Sequence, residues 1–99
     1  MGRLDRDTLT RLAEKYIWWK TPEAAIGQPE RVVAQVMDIG EYDDVQMLAS
    51  LAGDEYLREV LSKAEIGQYS GRSWAYWHYR LGLVATSQEV PPLPARRLE

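Results

Sequence analysis

Pro29-Glu30-Arg31-Val32-Val33-Ala34-Gln35-Val36-Met37-Asp38-Ile39-Gly40 is the stretch that decides the fold. Proline at the first helical position costs no hydrogen bond, because that N–H has no partner inside a helix. Glu30 follows in the first turn, where the helix dipole favours an acid. Val32, Val36 and Ile39 then fall on one stripe, with Val33 and Met37 on its neighbour. Gly40 supplies the stop. This is a helix with two apolar stripes, and the segments on either side repeat its grammar.

Downstream, Tyr42 to Ala52 carries Val45, Leu48, Ala49 and Ala52 at helical spacing before Gly53. Asp54 is expected to cap the next helix, in which Leu57, Val60, Leu61 and Ala64 run i, i+3, i+4, i+7 up to Gly67. Ser70 or Ser73 opens a last helix to about Leu83. Upstream, Leu9, Leu12, Ala13 and Tyr16 mark a helix from Asp7 or Thr8 to Trp19. Thr21-Pro22-Glu23 opens a short helical turn closed by Gly27. No segment alternates with period two, so no sheet is expected. The fold read from this pattern is all-α, a compact bundle of four to five short helices. Residues 1–84 form one domain. Residues 85–99 form an extended or disordered tail containing Pro91-Pro92-Leu93-Pro94 and Arg96-Arg97. Leu98-Glu99 reads as an expression-vector scar and is set aside from functional reasoning.

Bulk composition narrows the function classes. The chain has 99 residues, 45% hydrophobic and 27% charged, which fits one folded domain with a modest core. No apolar run approaches membrane-spanning length. There is no cysteine, which removes thiolate metal sites, Cys nucleophiles and disulfides. A reducing cytoplasm is the expected compartment. Net charge is −3 and uneven. Residues 38–65 hold eight acids (Asp38, Glu41, Asp43, Asp44, Asp54, Glu55, Glu59, Glu65) against Arg58 and Lys63. That acidic middle suits a solvated face or a basic partner and opposes nucleic acid. The pair of helices flanking Gly53 resembles a helix-turn-helix. Its second member is net acidic, so a DNA-associated regulator of its own operon stands only as an alternative, beside a purely structural helical domain.

The candidates for chemistry are few. His78 is the one histidine, and no nucleophile–base–orienter set surrounds it in the sequence. The carboxylates near Gly40 and at Asp43-Asp44 suit helix N-termini better than a metal. No phosphate loop, EF-hand or zinc spacing occurs. The chain is expected not to be an enzyme and to carry no cofactor and no metal. Pro91-x-x-Pro94-x-Arg96 matches a polyproline ligand pattern, although an arm that docks on its own domain or on a partner is the preferred reading.

What remains is aromatic. Seven of the ten aromatic residues, including all four tryptophans, lie in Tyr16-Ile17-Trp18-Trp19-Lys20 and Ser73-Trp74-Ala75-Tyr76-Trp77-His78-Tyr79-Arg80, and there is no Phe. Trp and Tyr suit surfaces that are apolar on one side and wet on the other. The two stretches are expected to meet each other. They fill more than one helix face, so ring surface should be left for a partner. The candidate partner-binding residues are therefore Trp18, Trp19, Trp74, Tyr76, Trp77, His78, Tyr79 and Arg80.

Residues 16–23 and 29–37, together with Arg72-Ser73-Trp74-Ala75-Tyr76-Trp77-His78-Tyr79-Arg80-Leu81-Gly82-Leu83 and Pro91 to Arg97, carry a resemblance. The chain is similar to small bacterial proteins encoded beside abortive-infection toxins of the nucleotidyltransferase type. Those proteins look like antitoxin or partner subunits. The resemblance spans about residues 14–97 and carries no catalytic residues. It implies a cytoplasmic, bacterial, non-enzymatic chain that binds and restrains a toxin-like enzyme.

Overall fold

The computed structural model describes residues 5–85 and 89–94. The fold is all-α: α1 (Arg6–Tyr16), α2 (Pro22–Ile26), α3 (Pro29–Ile39), α4 (Tyr42–Ala52), α5 (Asp54–Ser62) and α6 (Gly71–Arg80). Six helices replace the expected four to five, because the turn opened by Thr21-Pro22 closes into a helix of its own. No strand occurs among the described residues. None of the helices is long and apolar enough to cross a membrane. Arg96, Arg97 and Leu98-Glu99 lie outside the described residues.

Local chemistry places most boundaries. Asp5 caps α1 by accepting from the Thr8 N–H at 2.8 Å, and that bond holds its carboxyl below the usual range. Thr21 caps α2 and Ser70 caps α6 through their side-chain oxygens. Ser70, rather than Ser73, is the residue that opens α6. Asp54 does not cap α5. Gly53 takes that place at φ +83°, a left-handed conformation that joins α4 to α5 without a Cβ penalty. Asp54 and Glu55 instead fill the first turn, where their charge complements the helix dipole.

Two ends fall short of the expected ones. α1 stops at Tyr16 because Ile17 leaves helical geometry at φ −120°, ψ 58°. Trp18 and Trp19 therefore sit on a turn. α6 stops at Arg80, and Gly82 turns left-handed two residues later.

α3 is the hub. It packs against all five other helices. Val32, Val33, Ala34, Val36 and Met37 are all buried, so both of its apolar stripes are used. Ile39, expected on the buried stripe, is exposed at the helix end. Leu12, Ala13 and Tyr16 of α1, Leu48 of α4, Leu57, Val60 and Leu61 of α5, and Trp74, Trp77 and Leu81 of α6 complete the core. Gly40 is required where α3 turns into α4. A Cβ there would press on the Val36 carbonyl oxygen and stand 2.9 and 3.0 Å from methyls of Val36 and Val45.

Polar bonds fix how the helices sit. Trp77 Nε1–H donates to the Met37 carbonyl at 2.8 Å, satisfying one of the acceptors that a helix end leaves open. Arg58 Nε–H donates to the Leu81 carbonyl at 2.9 Å, fastening α5 to the end of α6. Asp38 Oδ1 accepts from Ser70 N–H at 2.9 Å and Ser73 Oγ–H at 2.6 Å, joining the last turn of α3 to the first turn of α6. Tyr16 Oη–H donates to Asp44 Oδ2 at 2.5 Å and accepts from Glu41 N–H at 2.9 Å. Lys15 pairs with both Glu41 and Asp44. Among the described residues, no buried side-chain nitrogen or oxygen lacks a partner.

Candidate functional site

Helix geometry sorts the aromatic residues of α6. Trp74, Trp77, His78 and Leu81 fall at i, i+3, i+4, i+7 and are all buried. Tyr76, Tyr79 and Arg80 lie on other flanks of the helix. Tyr76 is 48% exposed, and Tyr79 is exposed as well. Trp77, at 1% exposure, is among the largest fully buried side chains.

Three of the eight candidate partner-binding residues, Trp74, Trp77 and His78, are buried in this arrangement. Both indole N–H groups and one imidazole nitrogen are already used. The Trp77 indole donates to Met37. The Trp74 indole N–H donates to the Pro91 carbonyl at 2.7 Å. His78 Nδ1 lies 2.7 Å from the Trp74 carbonyl one turn earlier, and since a carbonyl only accepts, that nitrogen carries the proton. A surface partner would have to break these bonds to reach the rings.

Nor do the two aromatic stretches meet. The ring contacts seen among the described residues are local: Trp18 with Trp19, Tyr69 with Trp74, Trp74 with His78, Tyr76 with Trp77. α1 packs on α2 and α3, while α6 packs on α3. The α3 helix thus takes from each stretch the contact that each was expected to give the other. Trp18 and Trp19 are left 78% and 54% exposed, edge to face at 5.5 Å between centroids.

The remaining candidates gather with residues that sequence reasoning passed over. Tyr42 and Gln46, on the first two turns of α4, face Tyr76, Tyr79 and Arg80 of α6 across an open depression. Tyr42 is 76% exposed. Arg80 is held in place before any partner arrives. One guanidinium nitrogen donates to Tyr76 Oη at 2.8 Å and another to Gln46 Oε1 at 3.1 Å. Its carbon stands 5.9 Å from the Tyr76 ring centroid and 5.2 Å from that of Trp77, within range of cation–π attraction. Beside it runs a groove of about 430 Å³, with Met37, Gly40, Val45 and Trp77 among its apolar lining and Asp38, Ser70, Arg72 and Ser73 among its polar lining.

The chain matches no family model, no curated protein and no solved structure.

The capability of this face is thus read from its own geometry. It offers apolar ring area with hydroxyl handles and a preorganised cation. Tyr42 and Gln46 were missed because helical periodicity reports which residues point inward. It does not report which outward residues of two distant helices come together. Glu41, Asp43 and Asp44 lie at the start of α4, but Glu41 makes no side-chain cap bond, and Glu41 and Asp44 pair with Lys15 of α1. The Asp44 carboxyl is held below its usual range, first by Lys15 and then by the Tyr16 hydroxyl. Burial pushes the Tyr16 phenol up, and its bond to Asp44 adds to that. No group of three or more His, Asp or Glu side chains among the described residues is arranged to hold a metal ion.

Proposed function

We propose that this chain is a non-catalytic protein-interaction module that docks through the α4–α6 face and restrains a partner enzyme. Support comes from one observation above the others. Tyr42, Tyr76 and Tyr79 stand exposed around Arg80, whose guanidinium is already fixed by Tyr76, Gln46 and two rings. Binding hot spots are rich in Tyr, Trp and Arg. A side chain ordered in advance loses less entropy on association. Arg80 also offers a positive anchor to a carboxylate on the partner. Trp18 and Trp19 add a second exposed aromatic pair.

The class of partner follows from the sequence resemblance set out above. It is a nucleotidyltransferase-type toxin, restrained by occlusion in the manner of an antitoxin. The test is direct. The chain and a nucleotidyltransferase encoded beside it are purified separately, and both binding and nucleotidyl transfer are measured. Stoichiometric inhibition is expected. Tyr76→Ala and Arg80→Ala should each weaken the complex about tenfold or more, as hot-spot truncations do. No complex, or a complex indifferent to both substitutions, would sink the assignment.

A further inference from the structure

Residues 89–94 carry no helix or strand, yet they do not stand off from the domain. Val90 packs on the hydrophobic core, and the Pro91 carbonyl accepts the Trp74 indole N–H at 2.7 Å. Val90 and Pro94 are half-buried, while Pro91, Pro92 and Leu93 are exposed, so the segment is held by the Val90 side chain and the Pro91 carbonyl. The chemistry of this segment is narrow. Val90, Pro91 and Leu93 each precede a proline, which confines them to the β/polyproline II region. Proline fixes its own φ. The segment is therefore close to its bound shape before it docks, and ordering it costs little.

The receiving surface is equally specific. Trp74 lies between Tyr69, at 5.6 Å, and His78, at 4.4 Å between ring centroids. His78 Nδ1 bonds the Trp74 backbone, and Tyr69 Oη–H reaches Met37 Sδ at 3.5 Å. The rings are thus braced from behind, and the indole N–H is aimed outward at a proline carbonyl. An aromatic platform with an indole donor is how proline-rich segments are recognised in general. A polyproline II helix makes no hydrogen bonds within itself, so its carbonyls are open to a donor such as an indole N–H.

We infer that the Tyr69–Trp74–His78 platform is a binding site for proline-rich partner segments of the type apolar-Pro-Pro-x-Pro, held closed by this chain's own Val90–Pro94. The occupant is a partner segment of that chemistry. The strap is its tethered competitor, acting at an effective concentration on the order of millimolar. The site is independent of the docking face proposed above, since Trp74 and Tyr76 point about 200° apart around α6.

The experiment uses the full chain and the peptide Glu-Val-Pro-Pro-Leu-Pro, which reproduces residues 89–94. The readout is the Trp74 indole N–H resonance, assigned by its loss in Trp74→Phe. Val90→Asp, which places a charge where the strap meets the core, should release the strap and shift that resonance before any peptide is added. The peptide should then bind the Val90→Asp chain at least tenfold more tightly than the wild-type chain. Adding Trp74→Phe to Val90→Asp should weaken peptide binding, followed by anisotropy of a labelled peptide, about fivefold by deleting the donor. A peptide with both central prolines replaced by alanine should bind at least tenfold more weakly. The inference is overturned if millimolar peptide leaves the indole resonance unmoved in both chains, or if the alanine peptide binds equally well. A wild-type dimer that Val90→Asp abolishes would also overturn it, by making the occupant a second copy's strap.

Discussion

Residues 16–20 and residues 73–80 both place large aromatic side chains at adjacent positions, but the backbone treats them differently. In the first stretch the helix ends at Tyr16, inside the aromatic run. Tyr16 and Ile17 are buried, and Trp18 and Trp19 are carried out onto the turn. In the second the helix continues through Arg80. There the spacing decides, taking Trp74, Trp77 and His78 in and leaving Tyr76 and Tyr79 out. The lesson is that an aromatic cluster has no environment of its own. It inherits one from whether the backbone beneath it is still helical.

The difference can be broken at its deepest point first. Trp77→Ala removes a fully buried indole and leaves the Met37 carbonyl without its donor. It should cost about 3–5 kcal/mol in chemical denaturation, a large part of the stability of a domain this size. Gly40→Ala strikes the junction that lets α4 approach α3. The new methyl meets backbone oxygen and two valine methyls, so a loss of about 1–3 kcal/mol is expected. A neutral result would show that the α3–α4 turn yields more easily than its contacts imply.

Tyr16→Phe tests the polar edge that anchors the first stretch. It removes the hydroxyl shared by Asp44 and the Glu41 N–H, and about 1–2 kcal/mol should be lost. The same cluster has a pH signature. The Asp44 carboxyl is depressed, so its contribution is fully present above the unfolded value of about 4 and is lost as pH falls through the folded value. Below about pH 5 the wild-type chain should lose stability more steeply than Asp44→Asn, whose acid slope should be flatter. Identical slopes would show that Asp44 gains nothing from Lys15 and Tyr16.

The smallest effect sharpens the comparison from the other side. Trp18→Ala and Trp19→Ala should each change stability by no more than about 0.5 kcal/mol. A loss near that of Trp77→Ala would place these rings in the interior.

Much of the fold was legible from residues alone. Thr21, Ser70 and the Pro22 and Pro29 starts announced their helices, because capping and proline chemistry act within three or four residues, whereas the Asp5 cap of α1 lies two residues before the expected start at Asp7 or Thr8. Val45 and Leu48, Leu57 with Val60 and Leu61, and Leu12 with Ala13 and Tyr16 declared their buried faces by period. The candidate site was legible only in part. Tyr76, Tyr79, Arg80, Trp18 and Trp19 were named and are exposed or, for Arg80, half-buried. Trp74, Trp77 and His78 were named and are interior, and Tyr42 and Gln46 went unremarked. The exposed Ile39 and the cap at Gly53 in place of Asp54 are further local departures.

By itself, then, the sequence determined the helical class, the starts at Thr21-Pro22, Pro29 and Ser70, and most of the inward faces of α1, α3, α4 and α5. Those follow from interactions between residues a few positions apart. Only the tertiary structure decided that α3 would lie at the centre with both apolar stripes covered. It alone seated Val90–Pro94 on Trp74, brought Tyr42 and Gln46 across to Arg80, and kept the two aromatic stretches from meeting. Those outcomes depend on contacts between residues tens of positions apart. Hydrophobic burial drives such contacts without specifying direction, and shape and hydrogen-bond satisfaction among all six helices select among them.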